Sequence, residues 1–307
     1  MNERPKIVVI VGPTAVGKTV LSLEIAQKFN GEIVSGDSMQ IYRQLDIGTA
    51  KATRAEQRIV PHHLIDIAEP TEHFSAAQFV DLAREAIDDI TARQKLPIVV
   101  GGTGFYIQAL LGDRPLAEVG VDDQASVDKW LTNVAQQGEQ ELREAVRLVD
   151  PVSAQRILPG QTRRLIRALL VSEQTGRPFS EQQPVPERKY DAYIIGLSTV
   201  REQLYARINH RVIQMVEAGL MTEVALAYAL PDDATAKKAI GYKELFPVLT
   251  NDVPLEMGIS KLQQASRQYA KRQLTWFNNQ FQDIHWYDLV AHPTQLTAIF
   301  EAIIDFM

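Results

Sequence analysis

The sequence predicts an α/β fold: a parallel sheet with helices on both faces and a helical insertion domain. Three observations predict it. Short apolar runs alternate with amphipathic stretches over the first hundred residues. A glycine-rich segment, residues 12–19, joins the first run to the first amphipathic stretch. Residues 113–189 carry helical periodicity without strand-like runs.

In order, residues 7–11 read as a buried strand, residues 19–29 as a helix with Leu21, Leu23, Ile25 and Ala26 as its apolar positions, and residues 32–35 as a second strand. Residues 76–93 have helical spacing (Phe79, Leu82, Ala83, Ala86, Ile87, Ile90), and residues 96–100 form a third strand. Residues 194–197 add another. Continuous apolar strands parted by helices indicate a parallel sheet covered on both sides. The segment 113–189 is rich in Glu, Gln, Arg and Ala, and Gly112-Asp113-Arg114-Pro115 and Pro184-Val185-Pro186 punctuate its ends. Residues 1–112 and 190–307 are thus two parts of one core around an insertion. Residues 201–230 and 255–281 read as long helices.

The chain has 307 residues, 45% hydrophobic and 23% charged, which permits a sizeable core. No apolar run approaches the roughly 20 residues that span a bilayer, so no membrane partner is expected. The run after Lys6 is too short for a signal-peptide core, and a cytoplasmic monomer is the expectation. The absence of cysteine excludes disulfides and thiolate chemistry. A net charge of −6 argues weakly against nucleic acid. Local charge decides binding, however, not the average.

Gly12-Pro13-Thr14-Ala15-Val16-Gly17-Lys18-Thr19 fits G-x-x-x-x-G-K-[ST] between a strand and a helix, which makes the core P-loop NTPase-like. Backbone N–H groups converge on phosphate oxygens, the helix dipole assists, Lys18 adds a point charge, and the Thr19 hydroxyl suits Mg²⁺. Diphosphate binding is therefore assigned to Gly12, Thr14, Ala15, Val16, Gly17, Lys18 and Thr19. Read alone, the loop suggests ATP, but many phosphoester enzymes use it.

The second strand runs into Gly36-Asp37-Ser38-Met39-Gln40 and the third into Gly101-Gly102-Thr103-Gly104. Ligands of open parallel sheets bind at the carboxyl ends of strands, so Asp37 and Thr103 belong beside the loop. Read from type and position, Asp37 is a general base, a helix cap or an outer Mg²⁺ ligand. Thr103 is a diphosphate donor or a cap. Adjacent His62 and His63 point opposite ways in an extended chain and chelate poorly, which favours a packing role.

Taken in order, GPTAVGKT (12–19), DSMQIY (37–42), DIGTAK (46–51), PHHLID (61–66), GGTGFY (101–106), RRLIRAL (163–169), AIGYKE (239–244) and KRQLTWF (271–277) resemble the tRNA dimethylallyltransferases, or tRNA isopentenyltransferases, over nearly the whole chain. The resemblance implies transfer of a dimethylallyl group from dimethylallyl diphosphate to N6 of the adenosine just 3′ of a tRNA anticodon. It implies Mg²⁺ dependence and an insertion that grips the anticodon stem-loop. It further implies catalytic roles for Asp37, Thr19, Thr103 and Arg211. By spacing alone, Arg207 and Arg211 share one helix face and a solvated surface is the plainer reading. The tRNA contacts implied are Asp37, Ser38, Met39, Gln40, Arg163, Arg164, Arg167, Gly241, Tyr242, Lys243, Lys271 and Arg272.

Adenine N6 is a poor nucleophile, because its lone pair is delocalised into the ring. The reaction needs a neutralised leaving group, and each well-aimed donor is worth on the order of 3 kcal/mol. The amine becomes acidic as it alkylates, so even a weak carboxylate base suffices within hydrogen-bond reach. Positive charge gathers at Arg156, Arg163, Arg164 and Arg167, and at Lys261, Arg267, Lys271 and Arg272, with no acid inside either segment. Lys237 and Lys238 add a third basic spot, and Tyr42, Phe105 and Tyr106 are candidates to stack on an extruded base. Two other readings stay open: a kinase or adenylate prenyltransferase acting on a free nucleotide, and an RNA-binding nucleotide switch. The first leaves the insertion unexplained; the second lacks N-K-x-D and an obvious Walker-B strand.

Overall fold

The computed structural model describes residues 4–114, 116, 123–182 and 185–307. Two compact units result: residues 1–113 with 188–307, and residues 114–187.

In the larger unit the chain runs β1 (Lys6–Val11), α1 (Lys18–Lys28), β2 (Gly31–Ser35), α2 (Arg54–Ile59), β3 (His62–His63), α3 (Ala76–Ala92), β4 (Leu96–Gly101) and α4 (Gly104–Leu111). The smaller unit contributes α5 (Gln124–Gln137), α6 (Gln140–Val149), α7 (Pro151–Arg156) and α8 (Thr162–Thr175). The chain then returns through β5 (Asp191–Leu197), α9 (Arg201–Glu217), α10 (Leu220–Ala229), α11 (Phe246–Leu249), α12 (Leu255–Gln280), β6 (Ile284–Tyr287) and α13 (Gln295–Phe306).

The six strands are all parallel, in the order β3-β2-β4-β1-β5-β6. The central strand β1 is buried from Ile7 to Val11, which is why its sequence is continuously apolar. Val11 is level with Gly101 on one side and Gly196 on the other, so three strand ends open at one place. Ile10, Leu21, Ile25, Ile98, Ile195 and Ile303 form the main core, in which α1 and α13 cover the same face of β1 and meet at Phe29 and Phe300. A second core joins Ile41, Tyr42 and Leu45 to α10, Tyr242 and Leu262 of α12. The smaller unit has its own core of Leu142, Val146, Leu165, Ile166 and Leu169.

The long helix expected over 201–230 is two helices meeting at 80°, because Gly219 takes φ 99° between them. At the neck of the insertion Arg188 makes a two-pronged pair with Asp113, both prongs 2.9 Å, and reaches Asp283 at 2.5 Å. That clamp ties the outgoing and returning chains together within the larger unit. His63 Nε2 lies 2.7 Å from Glu32 Oε2 and His62 Nδ1 lies 2.8 Å from the Val60 carbonyl, so each ring has a separate partner.

Candidate active site

The loop 12–19 leaves β1 through Gly12 at φ 144°. A Cβ there would stand 2.4 Å from the Leu197 carbonyl oxygen, so only glycine lets β1 turn while paired with β5. Ala15 and Gly17 also take positive φ, at 65° and 111°. Gly17 stands at the N-cap of α1 and no side chain caps the helix, so its first-turn N–H groups face the loop's concavity. Lys18 Nζ donates to the carbonyls of Gly12 and Pro13 at 2.9 and 2.8 Å. Desolvation, helped by the charge of Arg211 and opposed by Asp37, lowers the Lys18 pKa to about 7.

Arg207 and Arg211 both turn toward this loop. Arg207 Nε donates to the Ala15 carbonyl at 2.9 Å, and Arg211 Nη1 to the Thr14 hydroxyl at 3.2 Å. Arg211 is half-buried against the loop while Arg207 stays exposed, so the solvated face that spacing favours holds for Arg207 and not for Arg211. Burial lowers the Arg211 pKa and the nearby Asp37 raises it, yet a guanidinium stays charged.

Asp37 follows β2. Its Oδ1 accepts the Met39 N–H at 2.8 Å, making a local turn. No helix starts until Arg54, so Asp37 caps none. Desolvation raises the Asp37 pKa above the ordinary carboxylate value, against the Met39 N–H and the charge of Lys18. Thr103 holds the N-cap position of α4 without capping it. Its hydroxyl instead accepts the Ser38 N–H at 3.2 Å and lies 3.3 Å from the Ser38 hydroxyl. Asp37 and Thr103, the candidate base and the candidate diphosphate donor, are thus linked through Ser38.

Several expected RNA contacts need correction. Gln40 is committed internally: its amide donates to the Thr49 and Ala50 carbonyls, and its oxygen lies 3.0 Å from the Ser35 hydroxyl that donates to it. Tyr242 is fully buried, with its hydroxyl donating to Glu223 at 3.0 Å, and Gly241 is buried beside it. Neither presents a surface. They pack against the segment 46–51, whose Gly48 lies against the Tyr242 ring. Met39 packs against the second core. Arg267 donates to Asn209 at 2.6 Å and lies over the Tyr205 ring, so it joins α12 to α9. Lys237 pairs with Asp232 at 2.8 Å, which weakens the third basic spot. Tyr42 is fully buried and Tyr106 stacks on Phe79 at 4.6 Å, so both are core residues. Phe105 is half-buried and meets Trp276 edge-on at 6.5 Å.

Other basic residues stay at the surface. Lys243, Lys271 and Arg272 are exposed, and Lys271, Arg272 and Trp276 border a groove of about 590 Å³ along α12. In the smaller unit Arg163, Arg164 and Arg167 are exposed while Leu165, Ile166, Ala168 and Leu169 of the same helix are buried.

Two residues have no role assigned from the sequence, although Gln273 lies within KRQLTWF (271–277). Gln273, only 5% exposed, accepts the Thr14 N–H at 2.9 Å and donates to the Gly102 carbonyl at 3.0 Å. Glu223 accepts the backbone N–H groups of Asp46, Ile47 and Gly48 at 2.7 to 3.0 Å, in addition to Tyr242. A polar residue on the apolar side of an amphipathic helix is the signal for Glu223, and Gln273 adds to it a place within KRQLTWF. Among the described residues no three Asp, Glu or His side chains converge on a point. A divalent cation beside Thr19 would therefore draw most of its oxygen ligands from phosphate and water, the usual habit of Mg²⁺.

The family described as IPP transferase matches residues 40–280. A tRNA dimethylallyltransferase of Latilactobacillus sakei is 51% identical, covering 94% of each chain, and one of Limosilactobacillus fermentum is 50% identical over 98% of each. The crystal structure of the full-length tRNA isopentenylpyrophosphate transferase of Bacillus halodurans is similar at TM-score 0.73 and 43% identity, covering 99% of this chain and 97% of that one. A eukaryotic dimethylallyltransferase, described as acting on tRNA, is similar at TM-score 0.81 and 31% identity, covering 98% of this chain and 80% of that one.

Proposed function

The chain belongs to the tRNA dimethylallyltransferase family, and we propose that its loop 12–19 holds the diphosphate of dimethylallyl diphosphate while Asp37 serves the tRNA adenosine. It is a tRNA-modifying prenyltransferase. The observation that carries the residue-level reading is that Arg211 bonds Thr14 of the loop while Thr103, just past β4, bonds Ser38 beside Asp37.

The Thr14 N–H is taken by Gln273, and the other N–H groups of the loop and those of the α1 N-terminus cradle phosphate oxygens. Lys18 leaves the Gly12 and Pro13 carbonyls for the substrate, and Arg211 covers the other side from Thr14. Thr19 and the phosphate oxygens are an all-oxygen set suited to Mg²⁺, which supplies further charge neutralisation at the leaving diphosphate. As the allylic C–O bond breaks, the N6 lone pair forms the new C–N bond. Asp37 accepts the N6 proton, and its raised pKa makes it a better base than an exposed Asp. Thr103 donates to a diphosphate oxygen while Ser38 keeps it in register with Asp37.

The exposed arginines of α8 and the exposed Lys243, Lys271 and Arg272 bind the anticodon stem-loop backbone. The target is N6 of the adenosine 3′ to the anticodon. Every group in this scheme comes from one chain, which we take to act as a cytoplasmic monomer. No single helix among the described residues is long and apolar enough to cross a membrane. Nuclease digestion of product tRNA tests the target. Prenyl label on the nucleoside 3′ of the anticodon is expected; label elsewhere in the tRNA, or on free AMP, counts against it.

A further inference from the structure

We propose that Gln273 is a positioning residue that couples the diphosphate-binding loop to the general base. The inference rests on the assignment of those two roles above. Gln273 lies in about the sixth turn of α12, far in sequence from both segments it touches. The residue is 5% exposed and its carboxamide is bonded at both ends. The oxygen takes the Thr14 N–H at 2.9 Å, and Thr14 in turn accepts Arg211 through its hydroxyl at 3.2 Å. The nitrogen donates to the Gly102 carbonyl at 3.0 Å. Gly102 precedes Thr103, whose hydroxyl accepts the Ser38 N–H next to Asp37.

One amide therefore stands between two arms. One arm, Thr14 with Arg211, faces the leaving group. The other, Thr103 with Ser38, carries the base. The separation of nucleophile and leaving group in the transition state depends on the spacing of these arms, and small displacements of such groups are costly. The fit at this point is close: a Cβ on Gly102 would lie 2.2 Å from Gln273 Nε2. The site also demands opposite polarity at the two ends of one side chain, an acceptor toward Thr14 and a donor toward Gly102. A carboxamide meets that demand, and a carboxylate does not. A protonated carboxylic acid does.

This gives a test that simple loss of packing would not mimic. In Gln273→Glu the ionised side chain places an acceptor against the Gly102 carbonyl. Its kcat relative to wild type should be lowered about 10- to 100-fold at pH 8, the range for an unmatched buried polar pair, and should recover several-fold as the pH falls to 6. Gln273→Met, similar in length, should lower kcat by a similar factor at every pH, with the KM for tRNA within about threefold of wild type. Thermal melting accompanies each variant. A Gln273→Met enzyme with normal kcat overturns the proposal. If that variant does not fold, Gln273→Glu decides alone: recovery on acidification supports the coupling role, and a ratio flat with pH overturns it. Lys18→Ala and Asp37→Ala run alongside. If they lose turnover while the Gln273 variants keep it, the coupling fails and the assigned roles stand. If all keep turnover, those roles fail first.

Discussion

Binding of dimethylallyl diphosphate without tRNA should draw a proton onto Lys18 above neutral pH. In the free protein desolvation and Arg211 hold this amine at about 7, down from 10.5. That depression corresponds to about 5 kcal/mol against the ammonium, at about 1.4 kcal/mol per pH unit. A diphosphate placed against Lys18 reverses it, because it supplies opposite charge and satisfies the donors. The sign follows: below pH 7 the lysine is already protonated and binding needs no proton; above it, binding must take one up. With a pKa of about 7, net uptake at Lys18 should be about 0.9 proton at pH 8 and about 0.1 at pH 6. Affinity should then weaken about tenfold per pH unit above 7. Calorimetry in buffers of different ionisation enthalpy reads the uptake, and the difference between wild type and Lys18→Arg isolates this residue from the ligand's own titration. Equal uptake by the two proteins at pH 8 would refute the reasoning.

Other outcomes can be stated more briefly. Asp37→Ala should lower single-turnover kcat by roughly 10² to 10⁴, the scale of a general base, while tRNA affinity measured by filter binding stays within a few-fold; near-normal turnover removes Asp37 as the base. Arg211→Ala should cost about 100-fold or more in kcat, as for a lost charge-stabilising donor. Arg207→Ala, which loses a bond to the Ala15 carbonyl and not a charge aimed at Thr14, should cost less in the same assay. Glu223→Ala strips partners from three backbone N–H groups and the Tyr242 hydroxyl. Its unfolding free energy should drop by about 3 kcal/mol or more in urea titration, and a drop under 1 kcal/mol would contradict the anchoring role. tRNA affinity should fall steeply with salt. Each of Arg163→Ala, Arg164→Ala and Lys271→Ala should reduce the log–log slope by about 1 if it meets a phosphate.

The parts of the fold that were legible are those where one short segment carries the whole signal. Residues 7–11 are apolar throughout because β1 has a covered neighbour on every side, and the glycine spacing of 12–19 reflects backbone that no other residue can trace. The edges were less legible. The two-residue β3 is too short for a pattern, and β6, Ile284–Tyr287, carries an exposed His285 and Trp286 because it closes one side of the sheet. Helix α13 follows β6 and was likewise unread. The break at Gly219 is a single residue inside an apolar stretch, and helical periodicity passes over it.

The site divides in the same way. Asp37, Lys18 and Thr103 follow from the rule that strand ends carry ligands. Arg211 did not follow from spacing, since a helix face toward the loop and a face toward solvent have the same periodicity. Gln273 and Glu223 act on backbone groups of distant segments, and backbone partners leave no trace in side-chain spacing. Tyr242 and Gln40 show the opposite error. Each lies in a motif of the family, but their contacts run to Glu223 and to residues 35, 49 and 50, which hold the motif loops in place.

The central claim is that the loop grips a diphosphate that leaves while its organic tail moves to tRNA. A double-label experiment tests it most directly: dimethylallyl diphosphate carrying carbon label in the tail and phosphorus label in the diphosphate, incubated with the protein, Mg²⁺ and unmodified tRNA. The account predicts carbon label in the tRNA, no phosphorus label there, and one free diphosphate released per prenyl group transferred. Phosphorus label in the tRNA, or carbon label on a free nucleotide with none in the tRNA, would contradict it.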